Sequence, residues 1–332
     1  MNNKKKKITI VCCCYNEENN IQKTYENFLW LMEQCPQYDF EILFEDNCST
    51  DCTQDLIREI AAKDIRVKAI FNQANFGQAN SSANAFCNVS GDAIMPIACD
   101  LQEPVEILPE FLQYWEKGYD VVWGQKLKSE ESAIKYHMRS LFYDIIDFFS
   151  EYNQFHHVTG FGVTDRKVLE AFKISKLQDP NVMMRNFVAE YNFKVKLIPY
   201  EQKQRKAGKS SYNIRKALDF SISTLCNTST KPLRFMTILG GGAGVCCLLA
   251  WLACLIYKIV CWDTFHAGIP ILIIGIFFVM SIQIFCTGIL GEYISVVLQK
   301  IYHKPMVIEK ERLNFENNEP QITVCGGNIN EN

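Results

Sequence analysis

An apolar run, Ala93-Ile94-Met95-Pro96-Ile97-Ala98-Cys99, stops at one acid, Asp100, and Leu101-Gln102-Glu103-Pro104 then adds a side-chain amide, a second acid and a proline that turns the chain. Read as a buried strand, the run presents a carboxylate at its end. A hard dication such as Mg²⁺ or Mn²⁺ held there needs only one or two carboxylates when substrate phosphates supply further oxygens. The plainer alternative is a strand that ends in a solvated acid. The neighbouring stretches weigh against it.

From residue 8 to about 125, apolar runs at 8–14, 40–44, 67–71, 93–98 and 119–124 alternate with amphipathic stretches near 17–35, 51–63, 78–88 and 105–117. Alternation of this kind predicts an α/β fold with a mainly parallel, doubly wound sheet. The runs end in polar clusters: Tyr15-Asn16-Glu17-Glu18, Glu45-Asp46-Asn47-Cys48-Ser49-Thr50-Asp51, Asn72-Gln73-Ala74-Asn75-Phe76-Gly77 and the Asp100 segment. Parallel strands place all four on one edge, where open α/β sheets bind ligands. Ser49-Thr50-Asp51 reads as a helix cap, which accounts for Ser49 or Thr50 but not for Asp46. No Gly-x-Gly-x-x-Gly or Gly-x-x-x-x-Gly-Lys-Ser/Thr occurs, which disfavours dinucleotide oxidoreductases and phosphate-loop NTPases.

The chain has 332 residues, 48% of them hydrophobic, enough for one sizeable domain and an appendage. Its net charge of −3 gives no global pull toward nucleic acid. Of the fifteen cysteines, Cys12, Cys13, Cys14, Cys99, Cys246, Cys247, Cys254 and Cys286 fall in apolar stretches, and without paired or zinc-ligand spacing the set reads as small buried hydrophobes in a reducing compartment. The apolar run after the N-terminal lysines is too short for a signal peptide.

Beyond residue 126, helices are expected over 133–152 and 182–191, a small-residue loop or strand over 158–164, and a strand over 194–198. Arg205-Lys206-Ala207-Gly208-Lys209-Ser210 forms a basic hook suited to phosphate oxygens. Residues 213–228 have helical apolar spacing, fitting an interfacial helix or an ordinary core-facing one. Residues 235–257 and 269–298 each hold an apolar run long enough to span a bilayer. The connecting segment has no Lys or Arg, whereas Lys231 and Arg234 flank one outer end and Lys300, Lys304, Lys310 and Arg312 the other. The positive-inside rule then makes both termini and the large domain cytosolic, in an integral inner or plasma membrane protein. The asparagine-rich end beyond about residue 313 reads as disordered.

In order along residues 8 to 308, Cys14-Tyr15-Asn16-Glu17-Glu18, Glu45-Asp46-Asn47-Cys48-Ser49-Thr50-Asp51, Asn75-Phe76-Gly77, Cys99-Asp100-Leu101-Gln102-Glu103-Pro104, Arg205-Lys206-Ala207-Gly208-Lys209-Ser210 and Gly291-Glu292-Tyr293 resemble glycosyltransferase family 2. The resemblance is to its polyprenyl-phosphate glycosyltransferases, related to dolichol-phosphate mannose synthase and bactoprenol glucosyltransferase. It implies a Rossmann-like GT-A domain over 1–210, a juxtamembrane amphipathic helix over 211–233, a two-helix transmembrane hairpin over 234–300 and a cytosolic tail over 301–332. It also implies transfer of a sugar from a UDP- or GDP-sugar to the phosphate of a membrane polyprenol, and makes a homo-oligomer plausible. By the same resemblance, Tyr15, Asn16, Glu17, Asn75 and Gly77 line the nucleotide-sugar pocket with Asp46 on the base. Asp100 and Gln102 bind the metal. Arg205 and Ser210 grip phosphate or acceptor, and Lys126, Lys135, Arg139 and Ser140 match acceptor-phosphate positions.

Two positions depart from the pattern. Many relatives have an acid where this chain has Ala98, and another where it has Gly160. The first leaves a one-carboxylate metal site, workable if the pyrophosphate donates oxygens and Gln102 or Glu103 assists. The second removes a candidate base, which a phosphate acceptor tolerates: its second pKa is near 6, so it is already largely a dianion at neutral pH. The rival readings are a polysaccharide synthase with a hydroxyl acceptor and a non-catalytic membrane scaffold. Asp100→Ala is expected to abolish sugar transfer while leaving membrane insertion intact. Full transfer by that variant would remove Asp100 from the chemistry.

Overall fold

Ile8, Ile10, Cys12 and Cys14 face one side of the first strand and Val11 the other, and all are buried, so β1 (Lys7–Cys14) runs through the middle of the sheet. The computed structural model describes residues 5–127, 155, 157–179, 182–202, 231–260, 269–301, 305–324 and 327–328. β2 (Asp39–Asp46), β3 (Val67–Asn72) and β4 (Ala93–Pro96) complete a parallel set in the order β3-β2-β1-β4. The helices α1 (Ile21–Gln34), α2 (Thr53–Lys63) and α3 (Gln78–Cys87) connect them, and α4 (Leu108–Glu116) follows β4. Phe28, Ile57, Phe111 and Trp115 pack α1, α2 and α4 on one face of the sheet; Phe86 packs α3 on the other. Burying each large side chain contributes roughly 1.5–3 kcal/mol, so these faces fix which way every strand points.

The sheet continues through β5 (Val121–Lys126), β6 (Val158–Asp165) and β7 (Val195–Tyr200), in the order β4-β6-β5-β7. β6 is antiparallel to both β4 and β5, while β5 and β7 are parallel. Between β6 and β7 lie α5 (Arg166–Gln178) and α6 (Met184–Glu190), which pack on the α3 face through Leu169, Phe172 and Phe187. The expected helix over 182–191 is α6. By contrast, α5 was not expected, although its cap was readable: the Asp165 carboxylate accepts the Lys167 N–H at 2.8 Å.

Two expectations need correction. The run 93–98 does not stay in the ladder throughout: β4 stops at Pro96, whose nitrogen has no hydrogen to donate. Ile97 N–H still reaches Val11 O, but Ala98 N–H turns away to the Glu103 carboxylate. The second correction concerns the C-terminal stretch. Residues expected as a tail form β8 (Pro305–Leu313), antiparallel to β3, followed by β9 (Ile322–Val324) and β10 (Gly327–Asn328). β8 covers a β3 edge that would otherwise present unpaired backbone groups.

Its charged residues look solvated in the sequence, yet Glu309 and Arg312 are both buried. Arg312 donates to Glu309 and to Asn88, and Asn84 donates to both Glu309 and Glu45. Burial holds the Glu45 carboxyl well above the ordinary range, against hydrogen bonds from Asn72 and Asn84. Lys310 and Arg312, read as flanking a membrane span, therefore belong to the sheet.

A separate unit contains α7 (Lys231–Val260) and α8 (Ile269–Ile301), which pack on each other. Among the described residues one stretch, Phe278–Leu298 of α8, is long and apolar enough to cross a membrane; Leu233–Cys246 of α7 is apolar over a shorter length. The expected helices over 133–152 and 213–228, and the segment joining the two long helices, lie outside the described residues.

At the start of the parallel strands, Glu41 is buried among Thr9, Lys7, Lys68 and Ser90. Burial alone would raise its pKa, but hydrogen bonds from Lys68, Lys7 and Ser90 override that and hold it at about 2, below the ordinary 4.5. A depressed carboxylate contributes stability that is complete above pH 4.5 and is lost as pH falls toward 2. The stability difference between the wild type and Glu41→Gln is thus expected to shrink across that window, read from denaturant midpoints measured against pH.

Candidate active site

The parallel register ends β1 and β2 level, with Cys14 opposite Asp46, and Asp46 lies opposite Phe71 of β3. The loops that follow β1, β2, β3 and β4 therefore share one edge. Strand order turns at β1, with β2 on one side and β4 on the other, and the connecting helices change face there. Such a point opens a crevice in a doubly wound sheet.

The first two loops are laced together. Asn16 N–H donates to Ser49 Oγ at 2.9 Å, and Thr50 N–H returns to Asn16 Oδ1 at 2.8 Å. Glu17 N–H donates to Thr53 Oγ1 at 2.9 Å, and Cys52 N–H donates to Glu18 Oε2 at 3.1 Å. Ser49 and Thr50 thus bind Asn16 and do not cap α2, whose N-cap position is Cys52. The Asn16 carbonyl is engaged within the lacing, and the residue adopts a left-handed φ of 55°. Glu17 Oε2 accepts from Asn20 Nδ2 at 2.6 Å. Tyr15, 45% exposed, stands at the loop surface.

Asp46 is fully buried. Its Oδ2 accepts from Ser49 N–H at 2.9 Å and from Gln54 Nε2 at 2.6 Å, while its Oδ1 has no hydrogen-bond partner among the described residues. A buried acceptor left unmatched is costly and marks a place that a donor would fill. Next to it, Asn47 donates to Asn75 Oδ1 at 2.9 Å and accepts the Phe76 N–H at 2.9 Å. Asn75 Oδ1 also accepts the Gly77 N–H at 3.0 Å, and Gly77 has a φ of 84°, a conformation that suits glycine. Asn47 thus fastens the third loop to the second.

On the fourth loop Asp100 is half-buried and its Oδ1 accepts the Gln102 N–H at 3.1 Å, closing a turn over Leu101, whose φ is 58°. A leucine held there costs of order 1–2 kcal/mol. Gln102 Oε1 accepts from Gln202 Nε2 at 3.0 Å. Glu103 bridges Ala98 N–H at 3.0 Å and Thr159 Oγ1 at 3.1 Å. Its burial, with Asp100 nearby, pushes the Glu103 carboxyl up to about 7 against the Ala98, Thr159 and Lys126 interactions. Burial and the same carboxyl push Tyr200 up to about 12, and the Tyr200 hydroxyl is buried without a hydrogen-bond partner among the described residues.

The structure therefore gathers Asp100, Gln102 and Lys126 around one loop and places Tyr15, Asn16, Glu17, Asp46, Asn75 and Gly77 on the neighbouring three. Lys135, Arg139, Ser140, Arg205 and Ser210 lie outside the described residues. Sequence reasoning missed Asn47, Gln54, Thr159, Tyr200 and Gln202. Asn47 had a signal, its place beside Asp46 in a polar cluster. Thr159, Tyr200 and Gln202 had none, because β6 and β7 reach this edge only through the sheet's later pairing.

Beneath the loops the thiols of Cys12, Cys14 and Cys99 lie within 4.8 Å of one another, a grouping that spacing did not reveal because Cys99 comes from another part of the chain. All three are buried in the apolar core, where packing accounts for them.

Asn47→Ala is expected to free the Phe76 amide, speeding its hydrogen exchange about tenfold, the equivalent of one net hydrogen bond of ~1.4 kcal/mol. Unchanged exchange at Phe76 would show that the third loop holds itself.

Residues 9–173 match the model of glycosyl transferase family 2. The bactoprenol glucosyl transferase of Shigella phage SfV is 29% identical over 298 residues, covering 89% of this chain and 95% of that protein. The uncharacterized glycosyltransferase YkcC of Bacillus subtilis is 28% identical over 306 residues, covering 91% and 93%. Among solved structures, the mannosyltransferase PcManGT from Pyrobaculum calidifontis in complex with GDP-Man and Mn²⁺ is similar at a TM-score of 0.47 and 16% identity, covering 90% of this chain and 88% of that one. A parallel sheet with its polar loops on one edge, a family 2 match that spans the strands bearing those loops, and relatives alike along nearly their whole length identify the chain as a glycosyltransferase with a family 2 domain.

Proposed function

We propose that this chain transfers a sugar from a UDP- or GDP-sugar to the phosphate of a membrane polyprenol, with inversion at the anomeric carbon. The observation that carries the reading is the shared edge. There the unmatched Asp46 Oδ1 lies on one loop, while the Asp100 carboxylate and Gln102 amide oxygen lie on another. Asp46 Oδ1 would accept an N–H of the base, and the exposed Tyr15 ring would offer the base a stacking face. Asp100 and Gln102 present oxygen donors only, the chemistry that suits Mg²⁺ or Mn²⁺. They would hold such an ion, which when bound would neutralise charge on the departing nucleoside diphosphate.

Lys126, at the end of β5, adds a positive charge on the same edge for the acceptor phosphate. Because that phosphate is already a dianion, the chain's task is positioning and charge neutralisation, with no strong base required. The left-handed φ of 92° at Gly160 fits this, since a residue with an acidic side chain would be strained there.

A lipid acceptor is supported by the curated bactoprenol glucosyl transferases and by the helical unit, where large apolar side chains such as Ile238, Leu249, Leu272 and Ile284 are exposed. Chain connectivity supports two spans. β7 precedes α7 and β8 follows α8, and both belong to one sheet, so the chain must return to the side of the bilayer from which it left. An even number of crossings follows, and a crossing by α8 then requires one by α7. The catalytic domain and both termini would be cytosolic.

The test is to offer labelled nucleotide sugars to membranes containing the protein and added polyprenyl phosphate. Label is expected in the lipid-phosphate fraction, with the anomeric configuration inverted. Label in polymer, or product with retained configuration, would overturn the reading.

A further inference from the structure

Glu103 follows Asp100 in the same loop, but its side chain turns back against the loop. One carboxylate oxygen accepts the backbone N–H of Ala98 and the other accepts the hydroxyl of Thr159. The carboxylate is therefore anchored on residue 98, whose own side chain is only a methyl, so Asp100 is the sole acid that the exit of β4 delivers directly. Each Glu103 oxygen has two lone pairs and one described hydrogen bond, which leaves acceptor capacity on both.

A neutral amide would pin the loop equally well: its carbonyl can accept from Ala98 and its NH₂ can donate to Thr159. An acid in that place instead puts a second carboxylate on the loop of Asp100, anchored at Ala98 two residues back along the chain. Two acids held close in a half-buried loop are unfavourable alone, and a dication between them reverses the sign of the interaction.

We propose that Glu103 supplies the second protein carboxylate of the divalent-cation site, reaching from position 103 to the place beside Ala98. The proposal rests on the sugar-transfer reading above, because that reading puts a cation at Asp100.

The experiment uses the full chain in detergent and follows Mn²⁺ binding by electron paramagnetic resonance, with UDP and GDP as separate probes. Glu103→Gln should retain the fold and metal-free nucleotide binding but weaken Mn²⁺ at least tenfold. Adding Ala98→Asp to that variant should recover most of the loss, with a thermal melt confirming that the double variant is folded. Wild-type Mn²⁺ affinity in Glu103→Gln would make the residue a loop pin and overturn the proposal. So would a folded double variant without recovery. If the wild type itself binds no Mn²⁺ with either nucleotide, the sugar-transfer reading fails as well.

Discussion

Parallel pairing of β1 with β2 on one side and β4 on the other is the constraint from which the site follows. Parallel strands must leave the sheet at the same edge, and the reversal of strand order at β1 keeps the connecting helices from closing over that edge. Tyr15 to Glu18, Asp46 to Asp51 and Asp100 to Glu103 are distant in the chain and become neighbours for this reason alone. The register adds the fine adjustment: with Cys14 level with Asp46, the first and second loops begin at the same height and can exchange hydrogen bonds from their first residues.

The loops are rigid for a local reason. Asn16, Cys48 and Leu101 all have positive φ, one in each of three loops on the edge. Only the asparagine tolerates that conformation readily, so Cys48 and Leu101 carry a cost that the surrounding hydrogen bonds must offset. Around Leu101 those bonds are the Asp100 turn and the two contacts of Glu103; around Cys48 they are the Ser49 N–H to Asp46 and the Ser49 and Thr50 links to Asn16. Side chains that resemble ligand-binding groups in a sequence therefore divide into two kinds. Asn16, Asn47 and Ser49 hold backbone, whereas Asp46 keeps one oxygen uncommitted.

β8 extends the same logic to the far end of the chain. Its buried Glu309 and Arg312 meet Asn84 and Asn88 of the α3 region, so a strand that follows the long apolar helices is tied into the sheet that bears the site. A buried charged pair is weak evidence for added stability but a strong determinant of register, because a strand slipped by one residue would leave both charges unmatched. That attachment also makes the two long helices an excursion that begins and ends at one sheet.

The sequence by itself determined the parallel α/β core, the position of the four polar loops and the apolar character of the two late helices, since each is written in a local period or a local break in it. It also marked Asp46 and Asp100, because an acid that ends an apolar run stands out. Only the tertiary structure decided that Ser49 and Thr50 serve Asn16, that Thr159, Tyr200 and Gln202 join the Asp100 loop, and that Glu309 and Arg312 are interior. These depend on pairings between distant segments, such as Arg312 with Asn88, 224 residues apart. No local pattern encodes them, because a charged residue in a strand reads the same whether its partner is water or another strand.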